Sequence, residues 1–338
     1  MKTRRILTAA LLCLLLLCAC GQEGDGPEPS PDFVLPQGRK LVSLTQEESC
    51  AMARCLNANR AYLAGERLYC YDFDGAWQPV LARYNWKGGR LDGYTVLAEG
   101  CVPEYLCLWD GWLYYIDRAG GGIERVPEQG GARELMRAGP CDWLSLREGI
   151  LYFCDGEGRF LSLDPATGEE TAILPGPCDW AYPLEGAVLY LAAADGGRLH
   201  LYWTEDGADE LLSYAAASPA LIWEDRLWYC SGGALHSVGL DGLGARVYAL
   251  PEHDGAVELL PLAEGLTLRG IREESGPAQW AGPPEGPFQR QARGYRICDW
   301  LGGGVQIDSV YEPDGRIRCY LLTDESGAEL SFLAGRTT

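Results

Sequence analysis

Five acidic residues recur at one position of a repeated sequence pattern. Carboxylates that are brought close together are suited to binding a cation. The five residues are Glu104, Asp142, Asp179, Glu258 and Asp299. Asn59 and Ser218 fill the same position in two further units. If the units surround an axis, these carboxylates form a ring at one mouth of a central channel, where they would hold a metal ion or a cationic ligand.

The same residues also have a structural interpretation. Side-chain oxygens that precede a strand commonly accept hydrogen bonds from backbone N–H groups in turns. The tryptophan that follows several of these acids would then fill the space between units. A residue repeated in a repeated unit is first of all a requirement of the fold, so the repetition favours the structural role.

Cysteine and histidine patterns predict no metal site and no catalytic residue. Cys141, Cys178 and Cys298 stand beside the acidic column, and such equivalent positions predict small buried apolar side chains. The three histidines are isolated in the sequence, which argues against zinc. The nucleophile-elbow, phosphate-loop and zinc-protease signatures are absent from the sequence.

A second candidate site is the irregular stretch 273–293. It is rich in proline and glycine and contains Trp280, Arg290 and Arg293. On a rigid scaffold such a loop could bind an anionic or sugar partner through its tryptophan and arginines. The alternative is that the stretch forms the third strand and turn of a sixth repeat that matches the others poorly.

A period near 38 residues indicates how these side chains are positioned. An apolar-aromatic pair recurs at Leu68-Tyr69, Leu113-Tyr114, Leu151-Tyr152, Leu189-Tyr190 and Leu227-Trp228, with weaker copies at Leu266-Thr267 and Val305-Gln306. The steps between them are 45, 38, 38, 38, 39 and 39 residues. Within the unit 142–174, four apolar segments alternate with Gly and Asp turns, which predicts four short antiparallel strands.

One such meander has two apolar faces that it cannot bury alone. Stacking the units radially buries those faces, and closing the ring removes exposed edges, which predicts an all-β fold, a β-propeller. Seven four-stranded blades are expected, with six as the alternative. An early strand at Lys40–Leu44 is predicted to complete the blade built by the C-terminus.

The N-terminus predicts export. Residues 1–19 combine basic residues at the start with an apolar run, a layout typical of a cleaved signal peptide. The apolar run 6–19 is shorter than the roughly 20 residues that span a bilayer. Residues 20–39 begin with a stretch that has little to bury and are predicted to form a flexible tether. Residues 40–338 are predicted to form the propeller domain.

Leu17-Cys18-Ala19-Cys20 resembles the bacterial lipobox. The resemblance implies that the Cys20 sulfur accepts a diacylglycerol before the signal peptide is removed, so that acyl chains hold the protein on the membrane. No cofactor is expected besides this covalent lipid. The predicted location is extracytoplasmic, on the bacterial membrane.

The charge balance argues against nucleic acid as a partner. The chain has 28 basic and 48 acidic residues, a net charge of −20. Removing Lys2, Arg4 and Arg5 with the signal peptide leaves 25 basic and 48 acidic residues, or −23. Such a surface repels phosphate backbones and also favours solubility.

The predicted mature chain has eleven cysteines besides Cys20, an odd number, so at least one stays free or pairs between molecules. Two pairs are close enough in sequence to be local disulfide candidates, Cys50 with Cys55 and Cys101 with Cys107.

A family resemblance supports the predicted fold. Leu113-Tyr114-Tyr115-Ile116-Asp117, followed by 121–126, resembles the YWTD repeat of low-density-lipoprotein-receptor propellers, and 151–155 and 68–72 are looser copies. Bacterial lipoproteins with receptor-like propellers of unknown function carry the same pattern. The resemblance implies a fold rather than an activity.

Together these features predict a lipid-anchored propeller that serves as a binding scaffold at the cell envelope, without catalytic activity. Its partner is expected to be an envelope protein, a peptide or a glycan. The alternative function is a propeller enzyme, either a hydrolase of envelope glycans or a quinone- or metal-dependent oxidoreductase.

Overall fold

The computed structural model describes residues 35, 39–56, 59–87 and 90–250, and eight segments beyond them: 257–262, 265–272, 276–283, 289–290, 296–302, 305–311, 317–324 and 329–334. The predicted signal peptide, Cys20 and nearly all of the predicted tether lie outside the described residues. No helix within these ranges is long and apolar enough for a membrane crossing.

The described residues form seven four-stranded antiparallel sheets, one for each predicted repeat. Blades one to three comprise β1 Ala61–Ala64, β2 Arg67–Phe73, β3 Pro79–Lys87, β4 Arg90–Glu99, β5 Pro103–Trp109, β6 Trp112–Asp117, β7 Gly122–Pro127, β8 Glu134–Ala138, β9 Cys141–Arg147, β10 Ile150–Asp155, β11 Phe160–Leu163 and β12 Glu170–Ala172. Blades four and five comprise β13 Cys178–Leu184, β14 Ala187–Ala192, β15 Arg198–Trp203, β16 Asp209–Ala216, β17 Leu221–Trp223, β18 Arg226–Ser231, β19 Ala234–Gly239 and β20 Arg246–Ala249.

Blades six and seven comprise β21 Val257–Leu262, β22 Gly265–Arg272, β23 Gly276–Gly282, β24 Gln289–Arg290, β25 Arg296–Gly302, β26 Val305–Tyr311, β27 Ile317–Asp324 and β28 Glu329–Ala334. The recurring apolar-aromatic pair lies on the second strand of every blade, where both faces are covered by neighbouring blades. Leu68, Leu113, Leu151, Leu189 and Leu227 are accordingly fully buried.

The sheets close into a ring. First strands of neighbouring blades contact one another from β17 through β21, β25, β1, β5 and β9 to β13. Blades four and five meet through β16 and β18, and β28 contacts β4. Each first strand therefore lines the central channel, and its partners follow outward in chain order. The prediction of an all-β propeller with seven blades is confirmed.

The predicted strand at Lys40–Leu44 is wrong. The last blade takes all four strands from β25–β28, and residues 40–45 form no strand. The backbone N–H of Leu41 instead donates to the carbonyl oxygen of Leu240, at 2.8 Å. Leu41 is 2% exposed and packs in the same apolar cluster as blade five, so burial of this side chain determines the path of the segment.

One helix, α1 (Gln46–Leu56), lies in the channel. Thr45 and Glu48 start it with a capping box: the Glu48 N–H donates to Thr45 Oγ1, and the Thr45 N–H donates to Glu48 Oε2, at 3.2 and 2.8 Å. The helix packs against the first strands β9, β17, β21 and β25. Met52 is fully buried, and its sulfur accepts a hydrogen bond from the Ile222 N–H.

The two ends of the channel differ in what surrounds them. We call the end where the first strands begin the upper face, and the end where they finish the lower face. The segment before α1 crosses the lower face, and the residues after the helix lead into β1 at the upper face.

Candidate functional site

The acidic column lies at the upper face. Glu104, Asp142, Asp179 and Glu258 are each the second residue of a first strand, in β5, β9, β13 and β21. Asp299 is the fourth residue of β25, two positions further along its strand. The fold thus gives four of the five acids equivalent backbone positions. For Glu258 and Asp299 the structure describes the backbone alone.

Arginines neutralise the acids of blades two and three. Arg60 Nη2 lies 2.5 Å from Glu104 Oε1, and Arg118 Nε lies 2.5 Å from Glu104 Oε2. Arg118 Nη1 also contacts Asp142 Oδ1 at 2.9 Å. This chain of four residues, which we call the upper-face network, links blades one, two and three. Both Glu104 oxygens already accept charge-assisted hydrogen bonds, which are stronger than neutral ones.

Unusual backbone follows two of these acids. Tyr105 and Trp143 have φ angles of +56° and +59°, in the left-handed region that bulky residues rarely adopt. In both blades the register with the second strand shifts at this point, which is a β-bulge. The bulges bring the two rings together edge to face, with centroids 5.9 Å apart. They therefore extend the contact between blades two and three beneath the ion pairs.

Asp179 has a different environment. It is exposed, and its main-chain oxygen accepts a hydrogen bond from Trp143 Nε1 at 2.7 Å. Trp180, which follows it, is 1% exposed and belongs to the core. The side chain of Asp179 thus faces solvent beside the upper-face network. Whether the five acids together bind a cation stays a prediction.

The aspartates of the YWTD-like segments stabilise the turns between second and third strands. Asp117 is 2% exposed, and its carboxylate accepts hydrogen bonds from the N–H groups of Val102, Ala119 and Gly120 at 2.9 to 3.1 Å. The bond from Val102 joins blade two to the segment that enters it. Asp155 accepts comparable bonds from the N–H groups of residues 157 and 159. These aspartates are structural.

A cavity of about 60 Å³ lies beside α1 inside the channel. Its lining includes Arg54, Cys55, Tyr62, Cys107 and Ser145. Arg54 lies over the Tyr62 ring at 4.9 Å. Ser145 is 4% exposed, and its Oγ has no hydrogen-bond partner among the described residues. A volume of this size holds a few water molecules, which need polar partners of this kind.

The protonation of the two thiols makes the cavity donor-rich. Burial raises the pKa of Cys107 to about 12, and it raises the pKa of Cys55 further. Both thiols are therefore protonated at neutral pH, and Arg54 is the charged side chain in the lining. Across the ranges that the structure describes, no group of three or more His, Cys, Asp or Glu side chains could hold a metal ion.

The prediction that Trp280 belongs to a binding loop requires a correction. Trp280 lies on β23, the third strand of blade six, and is 7% exposed in the core. Its apolar area is buried between blades, so it is not an exposed loop residue. Arg290 belongs to β24, with its backbone alone described, and Arg293 lies outside the described residues. The described part of this stretch, 276–283 and 289–290, contains the third and fourth strands of the sixth blade, in line with the alternative interpretation.

The two candidate local disulfides are not formed. Cys50, Cys55, Cys101 and Cys107 are all free thiols. Cys50 and Cys55 are five residues apart on α1, which points their side chains about 140° apart around the helix axis. Eight of the nine cysteines whose side chains the structure describes are buried, which fits the prediction that equivalent cysteines pack as small apolar residues.

Sequence reasoning missed the arginines of the upper-face network. Arg118 stands in the turn after β6, and Arg60 stands just before β1, so the two occupy different positions in their repeats. An alignment of the repeats brings equivalent positions together and cannot pair unlike ones. The available signal was the YWTD-like segment itself, because Arg118 directly follows Asp117.

Solved structures share this fold. A puromycin-hydrolysing peptidase of Mycobacterium tuberculosis is 15% identical, with a TM-score of 0.56 over 90% of this chain and 56% of that one. The computationally designed protein Ika8 is 12% identical, with a TM-score of 0.50 over 89% and 92% of the two chains. Hsv2p of Kluyveromyces lactis is 10% identical, with a TM-score of 0.50 over 79% and 93%.

No known protein family and no curated protein matches the sequence. This chain spans about half the length of the peptidase. At identities of 10 to 15%, the likeness supports the fold alone, since one fold serves many unrelated functions.

Proposed function

We propose that this protein is an extracytoplasmic lipoprotein, anchored through lipid on Cys20, whose YWTD-like propeller binds an envelope protein, a peptide or a glycan at its upper face. The lipobox and signal-peptide pattern support the anchor. The path of the N-terminal segment supports the choice of face.

The choice of the upper face rests on the path of this N-terminal segment. Arg39 pairs with Asp206 at 2.5 Å, and Leu41 is bonded to Leu240. Asp206 and Leu240 both lie in turns between third and fourth strands, on the lower face. The chain upstream of Arg39, which leads to the proposed lipid, therefore joins the propeller from its lower side. The tether then holds the lower face nearer the membrane and leaves the upper face available to a partner.

The upper face has the chemistry of a polar binding surface. The side chains of Arg118 and Asp142 are 38% and 50% exposed, and Asp179 beside them is exposed. Because ion pairs hold Arg118 against blades two and three, little side-chain entropy is lost when a partner contacts it. Alternating charges of this kind favour a partner that offers both donors and acceptors, such as a peptide or a glycan.

The same geometry argues against Glu104 as an acid or base for glycan hydrolysis. A catalytic carboxyl must exchange a proton with the substrate. Both Glu104 oxygens accept hydrogen bonds from arginines, and the side chain is only 8% exposed, so neither oxygen is open to a substrate. The binding scaffold is therefore the function that this arrangement supports best.

The anchor is tested by labelling cells with a radioactive fatty acid. We expect the full-length chain to be labelled and to fractionate with membranes, whereas Cys20→Ala should lose both properties. Cys13→Ala is the matched control in the predicted leader and should keep them. An unlabelled wild-type chain would refute the lipoprotein proposal.

Binding is tested separately with a lipid-free chain that starts at Gly21. Immobilised glycans and peptides of both charges are screened, and the ligand that binds is then titrated against the double variant Asp142→Asn/Asp179→Asn. We expect affinity to fall at least tenfold, because a lost charged contact costs about 1.5 to 3 kcal/mol. Asp110→Asn, in an exposed lower-face turn, is the matched control. Unchanged affinity with a lowered melting temperature would show that the two acids have only a structural role.

A further inference from the structure

Two buried cysteines meet where blade three packs on blade four. Cys154, near the end of β10, and Cys178, at the start of β13, have their sulfurs 3.5 Å apart. Their side chains are 2% and 4% exposed, and both belong to one apolar cluster. The two sulfurs are thus already in van der Waals contact, and a small approach of the side chains would bring them to bonding distance.

The neighbouring blade junction shows that this pairing is not a feature of every repeat. Ile116, near the end of β6, and Cys141, at the start of β9, occupy the equivalent positions between blades two and three and share one cluster. That junction holds one sulfur and one isoleucine. The packing there shows that an aliphatic side chain fills the position of Cys154, so the fold does not require sulfur in that place.

We propose that Cys154 and Cys178 form a disulfide that joins blade three to blade four. One thiol, as the thiolate, attacks the disulfide of an external oxidant such as oxidised glutathione or a dithiol oxidase and forms a mixed disulfide. The second thiolate then attacks the cysteine sulfur of that mixed disulfide. The two cysteines lose two electrons and two protons, and the oxidant's disulfide is reduced to two thiols.

Burial determines when this reaction occurs. The contact with Cys178 and burial raise the pKa of Cys154, so its thiolate is scarce in the folded protein, and burial keeps both sulfurs away from an external oxidant. The bond therefore forms while the chain is folding, before the junction closes. Once formed, it is shielded from reductants by the same packing.

The bond would close a loop between positions 24 residues apart. Its effect is to hold two adjacent blades together, at a junction beside Asp179 of the upper face. In cells the reaction depends on export to an oxidising compartment. The chemistry itself depends neither on the lipid nor on the ligand of the proposed function.

The experiment uses a lipid-free chain that starts at Gly21, refolded from denaturant with a mixture of reduced and oxidised glutathione. The product is denatured without reductant, alkylated and mapped by mass spectrometry. We expect a peptide in which Cys154 and Cys178 are joined and unalkylated, while Cys141 and Cys230 carry the alkyl group. Alkylation of both Cys154 and Cys178, or their bonding to other cysteines, would overturn the proposal.

Thermal unfolding gives a second readout that requires no mapping. A strong reductant should lower the melting temperature of the oxidised wild type by about 5 °C, because it removes the stabilisation that a disulfide usually provides. Cys154→Ala and Cys178→Ala should not respond, and Cys230→Ala, also buried, should respond like the wild type. If either pair variant fails to fold, the other variant and the wild-type peptide map still decide.

Discussion

The two ends of the channel are built from the same seven first strands but are stabilised by different interactions. At the lower end and inside the channel, an apolar helix face packs on the strands, with Met52 fully buried. At the upper end, charged side chains from three blades pair with one another around Glu104. The chain closes one end with its own residues and leaves the other end polar and accessible.

This difference shows how one repeated scaffold acquires two unlike ends. Buried apolar contacts contribute stability in proportion to the area removed from water and depend little on pH. Partly exposed ion pairs contribute less stability but fix charged groups in position, and they respond to acid. Substitutions at the two ends should therefore differ in size and in pH dependence.

The largest effect is expected inside the channel. Met52→Ala removes a fully buried side chain from α1 and should lower the free energy of unfolding by about 3 kcal/mol. Urea unfolding followed by circular dichroism measures the change. Glu47→Ala, on the exposed side of the same helix, should change it by less than about 0.5 kcal/mol. Equal values for the two variants would mean that the helix does not stabilise the ring.

At the upper face a smaller cost is expected. Glu104→Ala leaves Arg60 and Arg118 without their shared acceptor and should lower the free energy of unfolding by about 2 kcal/mol. Both arginines are more than a third exposed and can rehydrate, which limits the loss. Asp179→Ala, at the equivalent but exposed position, should cost less than about 0.5 kcal/mol. A larger cost for Asp179→Ala would reverse this assignment.

Acid should weaken the turn that Asp155 stabilises at the upper end. Burial by itself raises the pKa of Asp155, but hydrogen bonds from Arg159 and from backbone N–H groups outweigh it, so its pKa lies below the ordinary value. A carboxyl with a depressed folded-state pKa stabilises the protein above its unfolded-state pKa, and this stability is lost as pH falls through the folded-state pKa. Between about pH 5 and pH 2, Asp155→Asn should flatten the decline in unfolding free energy, measured by urea titration at each pH. A slope identical to that of the wild type would contradict the expectation.

The smallest change is expected at the central cavity. Ser145→Ala removes a buried hydroxyl that has no partner among the described residues, so the free energy of unfolding should stay constant or rise, within about 1 kcal/mol. Differential scanning calorimetry measures this. A loss of about 1 kcal/mol instead would show that an occupant of the cavity, such as water, bonds to Ser145.

Much of this molecule could be predicted from local pattern. The pair that recurs near every 38 residues marks the second strand of each of the seven blades, because burial on both faces demands large apolar residues there. The acidic column is also predictable from the repeat, because Glu104, Asp142 and Asp179 occupy one equivalent backbone position in their blades. Where repeats diverge, the pattern left two interpretations open for Trp280, a binding loop or a third strand, and the structure places it on a buried strand.

Contacts between unlike positions were beyond the pattern. Arg60 and Glu104 are 44 residues apart, and Cys154 and Cys178 are 24 apart. Neither separation in sequence joins equivalent positions of two repeats. Each pair meets because the blades stack in a closed ring. The path of Lys40–Leu44 was mispredicted for a related reason: a strand-like segment has no fixed partner until tertiary packing offers one, and burial of Leu41 on blade five provided it.

The sequence by itself determined the seven repeats, their four strands and the positions of the acids, because alternation, turn residues and spacing are local properties that each unit repeats. Only the tertiary structure decided that arginines neutralise Glu104, that a helix fills the channel and that two sulfurs meet between blades three and four. Those features depend on the distance between residues far apart in the chain, and closing the ring sets that distance.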